Sequence, residues 1–294
     1  MMSDYILPHG LAGEQQRLAL MSELLDPLER AHIERLGLRP GRRCLEVGCG
    51  NGSIAQWLAA RVAPTGHVVA SDLDIGYIAG LEHPCLEVRQ LDILHGPIEE
   101  GAYDFVVARA ILHHISDPRR ALQRMICALK PGGLLLSVEP DMLPCTVTEP
   151  EPIRDFWQGW LQWSADAGID YSIGRKIAAW LDSFGMEQVA GEGHTALFNG
   201  GSPWATYWIE TLRELRPRLL ESGHIAEETF AEFDAHFGDR HYWTSVISFV
   251  ATWGRKPEGS RYQAEPWRGP ALTKLSEVSK NPLGPGAPCT SGAS

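Results

Sequence analysis

Basic side chains are in short supply: 26 Lys and Arg stand against 37 Asp and Glu, a formal charge of −11. Affinity for a phosphate backbone comes mainly from clustered Lys and Arg, so this balance speaks against a nucleic-acid partner. Cysteine is sparse as well. Its six occurrences (Cys44, Cys49, Cys85, Cys127, Cys145 and Cys289) form no C-x-x-C pair. Neither a zinc spacing nor a disulfide framework is visible, and no metal site is expected. No apolar run reaches the roughly 20 residues a membrane span needs. The opening segment MMSDYILPHGLAGEQQ lacks the basic stretch and apolar run of a signal peptide. These absences predict a cytoplasmic chain with reduced thiols.

What is present suits a globular protein: 44% of the 294 residues are hydrophobic and 21% are charged. That length fits one α/β domain with a cap better than two equal halves. Residues 14–38 repeat apolar side chains at helical spacing, with Asp26-Pro27 predicted to divide the run into two helices, Asp26 as cap and Pro27 at the first position. Strands are expected at 44–47, 68–71, 86–90, 105–108 and 134–138, with helices at 53–61 and 118–129 between them. Such alternation predicts a parallel sheet with helices on both faces.

After Glu139 the rhythm changes. Helices are expected at 150–167, 174–184, 202–222 and 226–237, and strands at 186–197 and 242–253. The Pro-, Gly- and Ser-rich stretch 257–294 has few large apolar residues to offset its ordering entropy and is expected to be disordered. The domain reading is therefore a helical cover at 1–38, a main domain at 39–256 with cap insertions near 141–184 and 199–240, and a tail.

The central motif is Leu45-Glu46-Val47-Gly48-Cys49-Gly50-Asn51-Gly52, where a strand ends and a helix begins. Glycines allow a sharp turn and close approach of the backbone to a ligand, and the N–H groups of the next helix start favour an anionic group. A tight turn without a ligand is the alternative. Position adds weight. Asp72 closes the second strand, where a carboxylate would face ribose hydroxyls, and Asp92 follows the third. A nicotinamide-dependent dehydrogenase shares the glycines and the acidic residue, but its G-x-G-x-x-G/A fingerprint needs a third glycine one place later. Ser53 stands there instead.

Four segments in order, LEVGCGNG, VVASDLD, YDFVVARAILHHISDPRRAL and LKPGGLLLSVEP, resemble the class I S-adenosylmethionine-dependent methyltransferases. The likeness is greatest to the branch with ubiquinone/menaquinone-type and natural-product small-molecule enzymes. It covers about a third of the chain, from Arg42 to Asp141. The resemblance implies a Rossmann-like seven-stranded sheet whose last strand, 242–253, runs antiparallel. It implies S-adenosyl-L-methionine as cofactor. Glu46, Gly48, Gly50 and Gly52 would form the methionine-tail site, Asp72 would bind the ribose, Leu73 would pack on adenine, and Asp92 and Ile93 would hold the base. Arg109 joins the cofactor set at the end of the fourth strand. In the resemblance to the N-terminal cover, Arg17 would reach the cofactor carboxylate and Tyr5 would close over the methyl group; a solvated arginine on an amphipathic helix is the other reading.

Methyl transfer from a sulfonium is an in-line displacement that alignment and desolvation can drive, so no universal catalytic residue is expected. Some acceptors need a base. His113 of the adjacent pair His113-His114 is the candidate, against a packed structural histidine. The second half is dense in aromatics, including Phe156, Trp157, Trp160, Trp163, Trp180, Trp204, Tyr207, Trp208, Tyr242 and Trp243. These either pack the cap or line an apolar pocket. The function expected is methylation of a small aromatic or hydrophobic acceptor at carbon, nitrogen or oxygen, with a homodimer compatible with the sequence. Alternatives are an RNA or protein methyltransferase, for which no N/D-P-P-Y/F/W segment is found, and a methyltransferase-like binding or regulatory protein. A recast enzyme using the same pocket for cyclisation is a further option.

Overall fold

The computed structural model describes residues 13–259. Tyr5 and all but the first three residues of the expected tail lie outside them. A long helix α1 (Glu14–Arg35) precedes β1 (Arg43–Val47), α2 (Ser53–Val62), β2 (His67–Asp72), β3 (Leu86–Gln90) and β4 (Tyr103–Arg109). A single 3-10 turn (Leu112–His114) leads to α3 (Pro118–Ala128) and β5 (Leu129–Asp141). Then follow α4 (Glu151–Asp166), α5 (Ile177–Ser183), β6 (Glu187–Thr195), β7 (Phe198–Asn199), α6 (Pro203–Glu221), α7 (Glu227–Gly238), β8 (Trp243–Thr244) and β9 (Ser248–Arg255).

Seven strands form one sheet in the order β3-β2-β1-β4-β5-β9-β6. The first five are parallel, and β9 runs antiparallel to both β5 and β6. This is the Rossmann-like arrangement with an antiparallel last strand. Alternation of side chains assigns the two faces. Phe105 and Val107 of β4, with Leu134, Leu136 and Val138 of β5, enter the core shared with α1, α2 and the cap helices. Val106, Ala108 and Leu135 point the other way, toward α3 and α5. The helix α3 starts where local chemistry dictates: Asp117 accepts a hydrogen bond from Arg120 N at 3.0 Å, and Pro118 occupies the first turn. No helix among the described residues is long and apolar enough to cross a membrane.

Three local expectations are corrected. Pro27 does not divide the first helix; α1 runs through it. A proline inside a helix removes one backbone hydrogen bond, but contacts on both sides hold the helix. Leu25 and Ile33 are buried, and Asp26 bonds Ser53 Oγ (3.0 Å) and Arg109 (2.8 Å) rather than capping. The single strand expected at 242–253 is two. Trp243–Thr244 pairs with β7, Ser245 Oγ donates to Ala196 O, and the chain then enters the main sheet at Ser248. The helix expected at 174–184 begins as a 3-10 turn (Ile173–Arg175) and becomes α5 only at Ile177. A Cβ on Gly174 would lie 2.8 Å from Glu139 O, so the chain passes too close to β5 for any other residue.

Candidate functional site

The order of strands changes direction at β1, whose neighbours are β2 and β4. Ligands of open α/β sheets bind beyond the carboxyl ends of the strands at this kind of crevice. A cavity of about 700 Å3 opens there, within the range of roughly 300–1,000 Å3 typical of ligand sites.

One half is built from the ends of β1, β2 and β3. The turn after β1 is shaped by Gly48, with φ +70°. A Cβ at Gly48 would stand 2.2 Å from the Ile111 side chain, so only glycine fits under the loop after β4. Asp72 accepts from Gly50 N at 2.9 Å and from Asp74 N at 3.2 Å, fixing the turn to the end of β2. Asp92 likewise accepts from Leu94 N at 2.8 Å. Glu46 is buried, and its Oε2 has no hydrogen-bond partner among the described residues. Burial pushes its carboxyl well above the ordinary carboxylate range, with repulsion from Glu29 adding to the effect.

Helix α1 forms the lid side through Arg17, Leu18, Met21 and Ser22. It is fastened to the glycine turn where Ser22 Oγ donates to Asn51 Oδ1 (3.1 Å), and to β4 through Arg109. The Arg109 guanidinium lies 2.8 Å from Asp26 and 2.9 Å from Glu29, both nearly fully buried. Arg17 is buried against Glu14 at 2.7 Å, so it is not a solvated arginine.

The other half lies under β5, β9 and α6, lined by Tyr171, Tyr207, Trp208, Thr211, Ile247 and Phe249. His113 and His114 stand between the halves, their rings 3.8 Å apart. His113 Nδ1 lies 3.0 Å from Glu139 Oε2. Burial pushes its imidazole down to about 3, with the Arg17 charge contributing, so the ring is neutral at physiological pH.

Of the residues singled out from sequence, Arg17, Glu46, Gly48, Gly50, Asp72, Leu73, Asp92, Ile93, Arg109 and His113 line this one cavity. Gly52 does not. Its left-handed backbone (φ +75°) starts α2, and a Cβ there would strike Leu81 at 2.4 Å. Of the ten aromatics named above, only Tyr207 and Trp208 reach the cavity wall. Phe156, Trp157 and Trp160 fill the core of the cap, and Trp243 is exposed. Sequence reasoning gave Asp26 only a capping role and missed Glu29, the two carboxylates that hold Arg109, and it missed Glu139. The signal for Glu139 was present: a carboxylate inside the apolar run Leu134-Leu135-Leu136-Ser137-Val138-Glu139 must find buried partners.

Residues 21–191 match the family model described as methyltransferase domain. The chain belongs to this family. It carries a class I S-adenosylmethionine-dependent methyltransferase domain, as the four motifs implied. A demethylmenaquinone methyltransferase of Oceanobacillus iheyensis is 30% identical over 114 residues, 36% of this chain and 48% of that protein. A 37.1 kDa protein in transposon TN4556 of Streptomyces fradiae is 33% identical over 124 residues, 40% of this chain and 36% of the other. The matched segments thus span less than half the length of these relatives. Among solved structures, a Bacillus halodurans C-125 protein superposes with a TM-score of 0.54 at 21% identity, covering 77% of this chain and 98% of that one. The Haemonchus contortus phosphoethanolamine N-methyltransferase 2, bound to phosphomonomethylethanolamine and S-adenosylhomocysteine, gives a TM-score of 0.51 at 17% identity, covering 87% and 55%. These structures share the fold.

Proposed function

We propose that this protein transfers a methyl group from S-adenosylmethionine to a small aromatic or hydrophobic acceptor by in-line displacement. The observation that carries this reading is one continuous cavity with a polar half and an aromatic half. In the polar half, a buried carboxylate oxygen of Glu46 lacks a hydrogen-bond partner among the described residues, beside a turn where Gly48 has no room for a side chain. A buried carboxylate without a partner is costly, and the ammonium of the methionine tail is a group that satisfies it.

In this reading Glu46, Gly48 and Gly50 hold the methionine end, with Arg17 near its carboxylate. Asp72 receives the ribose hydroxyls, Leu73 packs on the adenine, and Asp92 and Ile93 flank the base. Gly52 supports the turn from behind. The bound cofactor supplies an electrophilic methyl group on a sulfonium. The chain's own part is to orient and desolvate. Asp26 and Glu29 fix Arg109 beneath the site, and α1 shields it from water. In the aromatic half Tyr171, Tyr207, Trp208 and Phe249 offer flat apolar surface. None of the side chains named for that half is charged, and Arg17 on the lid side is paired with Glu14. An uncharged acceptor suits such a wall better than a phosphorylated one.

The test is incubation with methyl-labelled S-adenosylmethionine and a panel of phenols, quinols, indoles and polyketides, with calorimetry of S-adenosylhomocysteine in parallel. Label is expected on an apolar acceptor. Absence of binding of either sulfur compound by the full chain would overturn the reading.

A further inference from the structure

Glu139 lies on β5 with its side chain fully buried, yet every partner it has comes from one short stretch of the loop after β4. Its Oε1 accepts from Ile111 N (3.1 Å) and Leu112 N (3.0 Å). Its Oε2 accepts from His113 N (3.4 Å) and stands 3.0 Å from His113 Nδ1. The backbone bonds alone would satisfy the carboxyl and cap the 3-10 turn. The fourth contact does something else: it ties one edge of the imidazole. Nε2, the other ring nitrogen, makes no hydrogen bond among the described residues, and His113 borders the cavity between its polar and aromatic halves. Which nitrogen of a histidine acts is set by the bond that the other one makes.

We propose that Glu139 is the positioning residue that engages Nδ1 of His113 and leaves Nε2 as a proton acceptor, so that the molecule methylated is one whose accepting atom is a weakly acidic hydroxyl, such as a phenol or an enol. The proposal rests on the reading of the cavity as the methyl-transfer site. The acceptor's O–H proton moves to Nε2 while an oxygen lone pair forms the bond to the methyl carbon. The C–S electron pair stays on sulfur, so the positive charge of the sulfonium ends on the imidazolium, next to the Glu139 carboxylate. The proton then leaves to solvent.

Protonation states follow from burial. Burial pushes the Glu139 carboxyl up to about 8 against the pull of the three backbone N–H groups. Below that range the pair holds a proton between Glu139 and Nδ1, and Nε2 carries its own. Loss of one proton as pH rises leaves the carboxylate accepting from Nδ1–H and Nε2 bare. The pair titrates as a unit. Charged or titratable groups that face it are Arg17 from α1, Asp170 with its partner Lys176, and the neighbouring His114 and Tyr171.

Nitrogen-15 NMR of the ring nitrogens in the full chain, with His113→Gln used to assign the signals, tests the proposal without any acceptor. The Nε2 signal is expected to pass to that of an unprotonated nitrogen as pH rises through about 8. In Glu139→Gln the amide N–H donates to Nδ1 and keeps Nε2 protonated throughout. With a phenolic acceptor, kcat should fall by about 100-fold or more in that variant, with KM held. Identical Nε2 titration in the two proteins, or an unchanged kcat, would overturn the proposal. Should the variant not fold, the wild-type titration decides alone: a His113 that gains a proton near the ordinary imidazole range sinks it. Loss of S-adenosylhomocysteine binding in the wild-type chain would instead remove the reading beneath it.

Discussion

Glu46 shows how one side chain links cofactor binding to pH. Its carboxyl is buried, lacks a partner at Oε2 among the described residues, and is held well above its usual range by burial first and Glu29 second. An ammonium docked beside it favours the ionised form, so binding in the range where burial keeps this carboxyl protonated expels a proton. Calorimetry in buffers of different ionisation enthalpy should therefore report proton release, and affinity should rise with pH. Glu46→Gln should bind more weakly and lose both effects; a binding enthalpy independent of buffer in the wild type would contradict the assignment. The sign for the ligand-free fold runs the other way. A carboxyl whose folded value is raised contributes stability that is complete below the unfolded value of 4.5 and is lost as pH climbs through the folded one. Position made Glu46 legible in the sequence, since it ends a strand just before the glycines. Asp26 was misread because its local sequence, ahead of Pro27, looks like a helix start. Beyond the local pair with Arg30, its partners Ser53 and Arg109 are 27 and 83 residues away.

At the scale of elements, the turn after β1 and the loop after β4 are one mechanical unit, because Ile111 sits where a Gly48 side chain would go. Gly48→Ala should push Ile111 outward, displace the 3-10 turn that carries His113, and weaken cofactor binding. Asp117→Ala serves as the contrast. It removes the N-cap of α3 and should cost about 1 kcal/mol in denaturant unfolding with cofactor affinity kept. Equal affinity loss in both variants would show that the glycine effect is mere destabilisation. The alternating strands and helices through β5 were legible because apolar period and caps agree there. The break at Ser245–Ile247 was not. A β-branched and aromatic run reads as one strand, and only the pull of β7 on Trp243 and of β5 on Ser248 splits it.

For the molecule as a whole, packed aromatic rings hold the cap helices together and join them to the sheet. Within the cap Trp157 meets Trp208 at 4.8 Å between centroids and Phe156 stacks on Phe233 at 4.6 Å, and Trp204 of α6 stacks on Phe249 of β9 at 6.1 Å. Truncation of Trp157 to alanine should cost about 3–5 kcal/mol in global unfolding and loosen the wall that Trp208 gives the cavity. A single cooperative transition at lower denaturant is expected; a cap that melts alone, with cofactor affinity intact, would mean the two parts are separable. Composition announced an aromatic second half. It gave no sign of which rings reach the ligand, since that depends on how α4 and α6 rotate against each other.

The position of β9 has a consequence for how the protein is made. It lies between β5 and β6 although it comes last of the three along the chain. During translation, β6 leaves the ribosome with no strand to join, and the edge of β5 stays open, until residues 248–255 emerge. A chain stalled before that point carries two unpaired strand edges, the surface on which nascent proteins aggregate and which chaperones shield.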